Sequence, residues 1–240
     1  MSFFTNRNGL RLSYNFSIKN PQDNKIYIVC QWFLSDILFS YEFLCDLLEV
    51  NTFRFDLTGS GNSEGENTYA GYVRDAEDID DAVKFVVSQG YEVEGIIGHS
   101  KASSGVIIYS ALYGEVKNII VLAPRFLACN IPDFIADSIE EVHKNGYILH
   151  TAFGKTWRIT EEMIQEMMGL DLRFYCQRVQ GNIYIIHGEA DDKVPFSESI
   201  ELVKELKEKC RGFFKLNCDH FFTGEIDEAV EIIHKIIDQN

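Results

Sequence analysis

Several features that would assign a chain to a common class of protein are missing from this 240-residue sequence. No apolar run approaches the ~20 residues of a membrane-spanning helix, because stretches such as 119–123 end after a few positions. The first residues carry neither a basic segment followed by an apolar one nor an Arg- and Ser-rich transit composition. Only four prolines occur, without internal repeats or low-complexity tracts, which disfavours a tethered second domain. We therefore predict a cytoplasmic protein with no membrane span.

Positive charge is also scarce. The 22 Lys and Arg residues are outnumbered by 37 Asp and Glu residues, which gives a formal net charge of -15. A surface of this sign repels polyanions, so we expect no nucleic acid partner. The six cysteines include no Cys-x-x-Cys pair, and several lie in apolar segments, which predicts free thiols.

Motifs for a cofactor or a metal are missing as well. Residues 30–33 read Cys-Gln-Trp-Phe after a candidate strand, without the glycines that let a backbone approach a pyrophosphate. The chain has no His-x-x-x-His helix and no cysteine pair at zinc-binding spacing. We predict no cofactor and no metal, and a small molecule as the ligand.

Hydrophobic residues make up 46% of the chain and fall into alternating strand-like and helix-like segments. The strand-like runs are short, apolar and rich in β-branched residues, as in strands buried on both faces. They are 25–30, 52–57, 93–97, 118–123, 182–187 and 212–216, and the helical segments are 35–49, 71–87, 102–113, 197–210 and 225–237. Alternation of this kind predicts an α/β fold, a mainly parallel twisted sheet with helices on both faces.

Two segments depart from the alternation. Residues 10–17 alternate in polarity after an Asn-Gly turn, which predicts an antiparallel amino-terminal hairpin. Residues 125–180 hold helical stretches without a convincing buried strand. We interpret 125–180 as a small helical lid inserted after the sixth strand, and 1–124 with 181–240 as the core. Ligands bind beyond the carboxyl ends of parallel strands, so this lid would overhang the binding site.

Two stretches resemble the Gly-x-Ser-x-Gly nucleophile elbow. Residues 61–65 (Gly-Asn-Ser-Glu-Gly) match it letter for letter, whereas 98–102 (Gly-His-Ser-Lys-Ala) end in Ala. An elbow requires a strand before the serine and a helix after it. Ser100 has both neighbours, while Ser63 lies in a polar, glycine-rich run typical of a loop. Ser100 is the predicted nucleophile.

A serine nucleophile needs a base and an acid, and later segments supply candidates. Asp191 follows the strand-like run 182–187, with Asp192 as its neighbour and alternative. His220 follows the next strand and precedes the last helix. An imidazole there could take the Ser100 proton while a carboxylate fixes its tautomer. The order Ser, Asp, His along the chain is the order found in α/β-hydrolases.

Nearly the whole sequence resembles the α/β-hydrolase fold family. Within it, the sequence is similar to small serine hydrolases that include cinnamoyl and feruloyl esterases and related plant and microbial hydrolases. The motifs that carry the resemblance are 55–65 (Phe-Asp-Leu-Thr-Gly-Ser-Gly-Asn-Ser-Glu-Gly), 98–101 (Gly-His-Ser-Lys), 187–195 (His-Gly, then Asp191 and Val-Pro) and 219–221 (Asp-His-Phe). In those relatives the first of these is a structural loop, which implies the same for Ser63.

The resemblance also implies an oxyanion hole, with one departure. The relatives carry His-Gly-Phe after the first parallel strand, where the Phe N–H helps bind the oxyanion. Here Phe33 keeps the position, but Gln31 and Trp32 replace His and Gly. Phe33 and Lys101 are expected to donate their backbone N–H groups, with the Lys101 ammonium in solvent. Trp32 could reshape the loop or fill the acyl pocket.

Two functional hypotheses follow. The first is a serine esterase that cleaves carboxylic esters through an acyl-enzyme. Its aromatic residues Trp32, Phe153 and Trp157 suggest an aromatic or short acyl substrate. The same residues would serve a thioesterase, a lipase or an amidase. The second hypothesis is a catalytically impaired ligand-binding or scaffold protein, supported by the replacement at Gln31 and Trp32. The chain is expected to be a monomer or a homodimer.

Overall fold

The computed structural model describes residues 2–30, 42–114, 116–152 and 155–239. Strands and helices alternate along most of these ranges. The strands are β1 (Ser2–Thr5), β2 (Arg11–Ser17), β3 (Lys25–Cys30), β4 (Thr52–Phe55), β5 (Glu92–His99), β6 (Asn118–Leu122), β7 (Tyr147–Ala152), β8 (Lys155–Thr160), β9 (Asn182–Gly188) and β10 (Cys210–Leu216). The helices are α1 (Glu42–Leu47), α2 (Tyr72–Ser88), α3 (Lys101–Leu112), α4 (Asp133–Ala136), α5 (Ile139–Asn145), α6 (Glu161–Gly169), α7 (Leu172–Cys176), α8 (Phe196–Leu206) and α9 (Ile226–Asp238).

Within the described ranges, eight strands form one sheet in the order β1-β2-β4-β3-β5-β6-β9-β10. From β4 to β10 every neighbouring pair is parallel, and β2 joins β1 and β4 in antiparallel pairs. The mainly parallel α/β sheet and the amino-terminal hairpin are therefore confirmed. The hairpin loop is longer than an Asn-Gly turn alone, and Asn6 closes it by donating its N–H to Leu10 O. The side chain of Asn6 also donates to Asp78 of α2.

The buried parts of the central strands are mostly apolar because helices cover both faces of the sheet. Alternate residues of β3 point to opposite faces. Ile26 and Ile28 belong to one core cluster with α2, α3 and α7, whereas Tyr27 and Val29 belong to a second with α1 and α9. The carboxyl ends of the neighbouring parallel strands β5, β6, β9 and β10 lie along one edge of the sheet, between two packed layers.

Residues 125–180 follow β6 along the chain, and they are not purely helical. They contain α4 to α7 and an antiparallel hairpin of β7 with β8, in which Ile148 lies opposite Ile159. Residues 153–154 join the two strands in the sequence. β8 alternates polar and apolar residues around Trp157 and Ile159, a pattern our helical prediction overlooked. The hairpin and α4 to α6 enclose a small apolar cluster around Ile135, Val142 and Ile164.

Other sequence expectations concern thiols, membranes and metals. All six cysteines are free, as predicted. Across the described residues, no helix is both long enough and apolar enough to cross a bilayer. In the same part of the chain, no cluster of three or more His, Cys, Asp or Glu side chains could hold a metal ion.

Candidate active site

Ser100 occupies a sharp turn between β5 and α3. Its backbone lies at φ 56° and ψ -124°, a conformation that non-glycine residues rarely adopt. Its N–H donates to Leu122 O (2.9 Å), and its carbonyl accepts from Arg125 N (3.3 Å), which fixes the turn against the end of β6. This strand–turn–helix arrangement is that of a nucleophile elbow.

Small residues on either side of Ser100 let the strand and the helix approach each other. A Cβ atom on Gly98 would lie 2.8 Å from a methyl group of Val106 and 3.1 Å from the carbonyl oxygen of Ala102. Ala102, which replaces the last glycine of the motif, is fully buried in the same contact. The hydroxyl of Ser103 donates to Gly98 O at 2.8 Å and closes the turn.

The side chains of Ser100, His220 and Asp191 form a hydrogen-bonded chain. His220 Nε2 lies 3.0 Å from Ser100 Oγ, and His220 Nδ1 lies 2.7 Å from Asp191 Oδ2. The side chains of His220 and Asp191 are 3% and 0% exposed, so water does not compete for either bond. The three predicted residues come from the ends of three different strands and meet in one line.

Asp191 is held as an anion. Its Oδ1 accepts N–H groups from Lys193 and Val194, both at 2.8 Å, and its Oδ2 accepts from His187 as well as from His220. Burial alone would raise the pKa of Asp191, but the hydrogen bonds from the two histidines outweigh it and hold the pKa well below its usual range.

The loops that carry Asp191 and His220 are brought together by a close backbone contact. Glu189 N donates to Leu216 O at 2.7 Å, and Ala190 N donates to Cys218 O at 3.1 Å. Gly188 lies in this contact, where a Cβ atom would be only 2.3 Å from Cys218 O. Any side chain at residue 188 would push the two loops apart.

Ser63 has a structural role, as its sequence context predicted. Its hydroxyl donates to Asp56 O at 2.6 Å and accepts from Ser13 N at 2.9 Å. These bonds tie the loop after β4 to β2. The hydroxyl therefore uses its proton within the loop and accepts a hydrogen bond from β2.

The ammonium of Lys101 is not in solvent, so that expectation is wrong. Lys101 Nζ forms an ion pair with Asp75 of α2 and lies 4.9 Å from the centre of the Tyr72 ring. The side chains of Lys101 and Asp75 are 11% and 2% exposed. The first turn of α3 faces α2, which the helical periodicity of the sequence did not reveal. Lys101 begins α3, where backbone N–H groups point out of the helix end.

The remaining predicted site residues are less defined. Trp32, Phe33 and Phe153 lie outside the described residues. Trp157 lies on β8 opposite His150, and its side chain is mostly buried. Its contact with a substrate stays a prediction.

Several residues around this site were not singled out by sequence reasoning. His187 and Ser199 form a hydrogen-bonded extension behind Asp191. His99 binds the carbonyl oxygen of His220 through Nε2 at 2.9 Å, and burial lowers the pKa of His99 well below its usual range. Glu198 accepts N–H groups from Phe126 and Leu127, both at 2.7 Å, where residues 125–180 begin. His187 lies near the end of β9, four residues before Asp191, so its closeness to the candidate acid was visible in the sequence.

Comparison with known proteins gives structural neighbours only. Neither a protein-family model nor a curated protein matches this chain. A structure of Est1E from Butyrivibrio proteoclasticus with ferulic acid bound is similar over 100% of this chain and 98% of its own, with a TM-score of 0.78 and 16% identity. Alpha/beta hydrolase domain-containing protein 10 from mouse is similar over 99% of this chain and 98% of its own, with a TM-score of 0.76 and 18% identity.

An esterase domain of a Rhodothermus marinus protein is similar over 97% of this chain and 94% of its own, with a TM-score of 0.70 and 18% identity. These likenesses each cover at least 97% of the chain. The chain adopts the α/β-hydrolase fold.

Proposed function

We propose that this protein is a serine hydrolase that cleaves carboxylic esters through an acyl-enzyme, with Ser100 as the nucleophile. The observation that carries the proposal is the hydrogen-bonded chain from Ser100 through His220 to Asp191, with Ser100 raised on a strained elbow. A buried anion, an imidazole and a hydroxyl in this order are the parts that nucleophilic acyl transfer requires.

In the first step, Ser100 Oγ attacks the ester carbonyl carbon while its proton passes to His220 Nε2. The imidazolium that forms keeps its Nδ1–H on Asp191, whose negative charge stabilises it. The tetrahedral intermediate then collapses, the bond to the alcohol oxygen breaks, and His220 Nε2 returns its proton to the departing alkoxide. The products of this step are a free alcohol and an acyl ester on Ser100.

In the second step, water replaces the alcohol. His220 Nε2 takes a proton from the water, the resulting hydroxide adds to the acyl carbon, and Ser100 Oγ leaves with the proton that His220 holds. The carboxylic acid is released, and each residue regains its starting protonation state.

The oxyanion of both intermediates needs hydrogen-bond donors. Lys101 is the first proposed donor, because its backbone N–H lies at the amino end of α3, next to the nucleophile. Phe33 is the proposed second donor. Loss of one such donor typically costs about a hundred- to a thousandfold in turnover.

Residues 125–180 are proposed as a cap over this site. They begin directly beside the elbow, where Arg125 N donates to the carbonyl of Ser100. Glu198 of α8 also binds the Arg125 guanidinium at 2.8 Å, so the start of the segment is fixed. The substrate would enter between the cap and the carboxyl ends of the strands.

An aromatic or short acyl ester is the proposed substrate class. One structural neighbour, Est1E, has been seen with ferulic acid, an aromatic acid. Trp157 of the cap, with Trp32 and Phe153, would offer flat apolar surface to such a group. Esters, thioesters and amides share the same acyl chemistry, so matched substrates with one acyl group must be compared.

The decisive experiment is labelling with a fluorophosphonate, followed by intact-protein mass spectrometry. The wild type and Ser63→Ala should each gain one adduct, and Ser100→Ala should gain none. Ser63→Ala is a close control because it removes a hydroxyl from the competing motif. A single adduct justifies an ester screen that starts with aromatic and short acyl groups.

The opposite result is equally informative. If the folded wild type forms no adduct, the proposal is wrong, and a ligand-binding protein with an inactive site becomes the better description. If the adduct persists in Ser100→Ala, the nucleophile is a different residue.

A further inference from the structure

Asp191 accepts hydrogen bonds from two imidazole rings on one oxygen atom. His220 Nδ1 lies 2.7 Å and His187 Nε2 lies 3.0 Å from Asp191 Oδ2. We propose that His187 is a positioning residue for the proposed hydrolysis: it fixes the Asp191 carboxylate and moderates how strongly that carboxylate binds the His220 imidazole. This proposal rests on the proposed function and adds a residue to its site.

Hydrogen-bond donors fill the acceptor positions of the Asp191 carboxylate. A carboxylate has two oxygens with about four acceptor positions. Asp191 receives four donors, the N–H groups of Lys193 and Val194 on Oδ1 and the two imidazoles on Oδ2. His187 and His220 therefore share Asp191 Oδ2 as their acceptor atom.

The bond to Asp191 fixes the tautomer of His187. An ionised carboxylate can only accept, so His187 must donate from Nε2. In neutral His187, Nδ1 then carries no proton. It lies 2.7 Å from the hydroxyl of Ser199 and can accept a hydrogen bond from it. Ser199 lies on α8 and is fully buried, as is His187. The chain from Ser199 through His187 to Asp191 is thus directional and belongs to the core.

Other titratable and charged residues also lie near His187. His99 at the end of β5 is a second buried titratable ring close enough to interact electrostatically. Lys215 lies opposite His187 in the register of β10, with its ammonium 5.3 Å from the Phe196 ring, and that ring is tilted against the His187 ring. Glu189 pairs with Lys215 at 3.7 Å, and His220 lies on the other side of the Asp191 carboxylate.

A direction follows from these contacts. Removing the His187 donor concentrates the negative charge of Asp191 on its bond to His220, which favours the imidazolium form of His220. The acid limb of the kcat/KM profile reports the proton that must leave before reaction. Loss of the donor should therefore move the midpoint of this limb to higher pH, and looser placement of Asp191 should lower kcat.

The test compares His187→Met, which fills the space without an N–H donor, with His187→Gln, whose amide can donate from nearly the same place. The substrate is an ester cleaved by the wild type, and rates are divided by the fraction of sites that react with fluorophosphonate. For His187→Met we expect a midpoint higher by about half a pH unit and kcat lower by roughly ten- to a hundredfold. His187→Gln should recover most of the rate and the original midpoint.

A second readout does not require turnover. In protein labelled with ¹⁵N-histidine, the two imidazole N–H protons on Asp191 should give two far-downfield proton resonances. Ser100→Ala should keep both, while His187→Met should lose one and move the other. If no ester is cleaved but both resonances appear, the proposed function fails while the arrangement around Asp191 stands.

Three outcomes would overturn the proposal. Unchanged midpoint and kcat per active site in His187→Met, with only a lower melting temperature, would make His187 purely structural. A midpoint that moves equally in both variants would show that the ring titrates instead of donating. If His187→Met does not fold, Ser199→Ala, which removes the hydroxyl that holds the other edge of the His187 ring, must shift the midpoint in the same direction, and no shift there rejects the idea.

Discussion

At the scale of single residues, neighbours of the same chemical type have opposite surroundings. Asp191 is buried among four donors, whereas the Asp192 side chain is 66% exposed and contacts the ammonium of Lys193 at 3.0 Å. The sequence left both open as the acid. Only the direction of each side chain at the end of β9 separates them.

Replacing Asp191 by Asn should abolish most of the turnover. The amide keeps the size but offers a donor where His220 Nδ1–H needs an acceptor, so the imidazole is held in the wrong tautomer. A loss of about 10⁴ in kcat is typical of this change in a serine triad. Asp192→Asn is the matched control and should keep wild-type rates in steady-state ester hydrolysis. Equal losses in both variants would contradict the assignment of Asp191.

The acid stability of the protein should also depend on Asp191. Its pKa is lowered on folding, so the ionised carboxylate stabilises the folded state at pH values above the usual carboxyl pKa of about 3.9. That contribution is lost as pH falls further, through the lowered value. In urea titrations, Asp191→Asn should therefore be less stable than the wild type near pH 7, and the gap should narrow below pH of about 4. A gap that is constant over this range would contradict the prediction.

At the scale of secondary structure elements, a buried ion pair joins two helices beside the site. Lys101 at the start of α3 binds Asp75 in the first turn of α2, under the Tyr72 ring. The same helix α3 supplies the proposed Lys101 N–H donor. Movement of α3 against α2 would therefore shift that donor and Ser100 together.

Lys101→Met should destabilise the protein because it leaves the Asp75 charge buried without a partner. Breaking a buried pair in this way costs about 3–5 kcal/mol in the free energy of unfolding. The double variant Lys101→Met with Asp75→Leu removes both charges and should regain most of that loss in denaturant titrations. Lys235→Met, which breaks an exposed pair with Glu231 on α9, should change stability by less than about 1 kcal/mol. A double variant as unstable as the single one would refute this account.

A second contact between elements fixes the start of residues 125–180. Glu198 of α8 accepts from Phe126 N and Leu127 N and pairs with Arg125, while its side chain is 4% exposed. A carboxylate that accepts three donors is well satisfied even when buried. The proposed cap therefore grows from a rigid base, directly beside the elbow.

At the scale of the whole molecule, residues 125–180 are not a separate domain in terms of packing. Phe126 at their start and Leu172 and Cys176 of α7 belong to the main core, in one cluster with α2 and α3. Among the described residues of the segment, one small buried cluster around Ile148 and Ile159 is internal to it. A cluster of that size cannot offset the conformational entropy of about fifty ordered residues by itself.

We therefore expect a single cooperative unfolding transition. Leu172→Ala should lower its midpoint for the whole chain, because truncating a buried leucine costs about 2–5 kcal/mol. Leu149→Ala, at a leucine of β7 that is 64% exposed, should leave the midpoint unchanged. Calorimetry with near-UV and far-UV circular dichroism checks whether all probes move together. Two transitions, with only one sensitive to Leu172→Ala, would show that the segment folds independently.

Much of the fold was predictable because strands covered on both faces must be apolar throughout. Short apolar runs identified β3, β5, β6 and β9 in the sequence. The position of Ser100 directly after β5 then identified it as the candidate nucleophile. The β7–β8 hairpin was not predictable in the same way. Its strands pair only with each other and leave Leu149 exposed, so no continuous apolar run marks them.

The sequence by itself determined the order of strands and helices and the chain order of Ser100, Asp191 and His220, because periodicity and strand-end position are local properties. Only the tertiary structure decided which carboxylate faces His220, which groups the Ser63 hydroxyl binds, and that Lys101 is buried against Asp75. It also placed His187 behind Asp191. These contacts join segments far apart in the chain, and their geometry depends on how the strands lie side by side and how closely the loops after β9 and β10 approach.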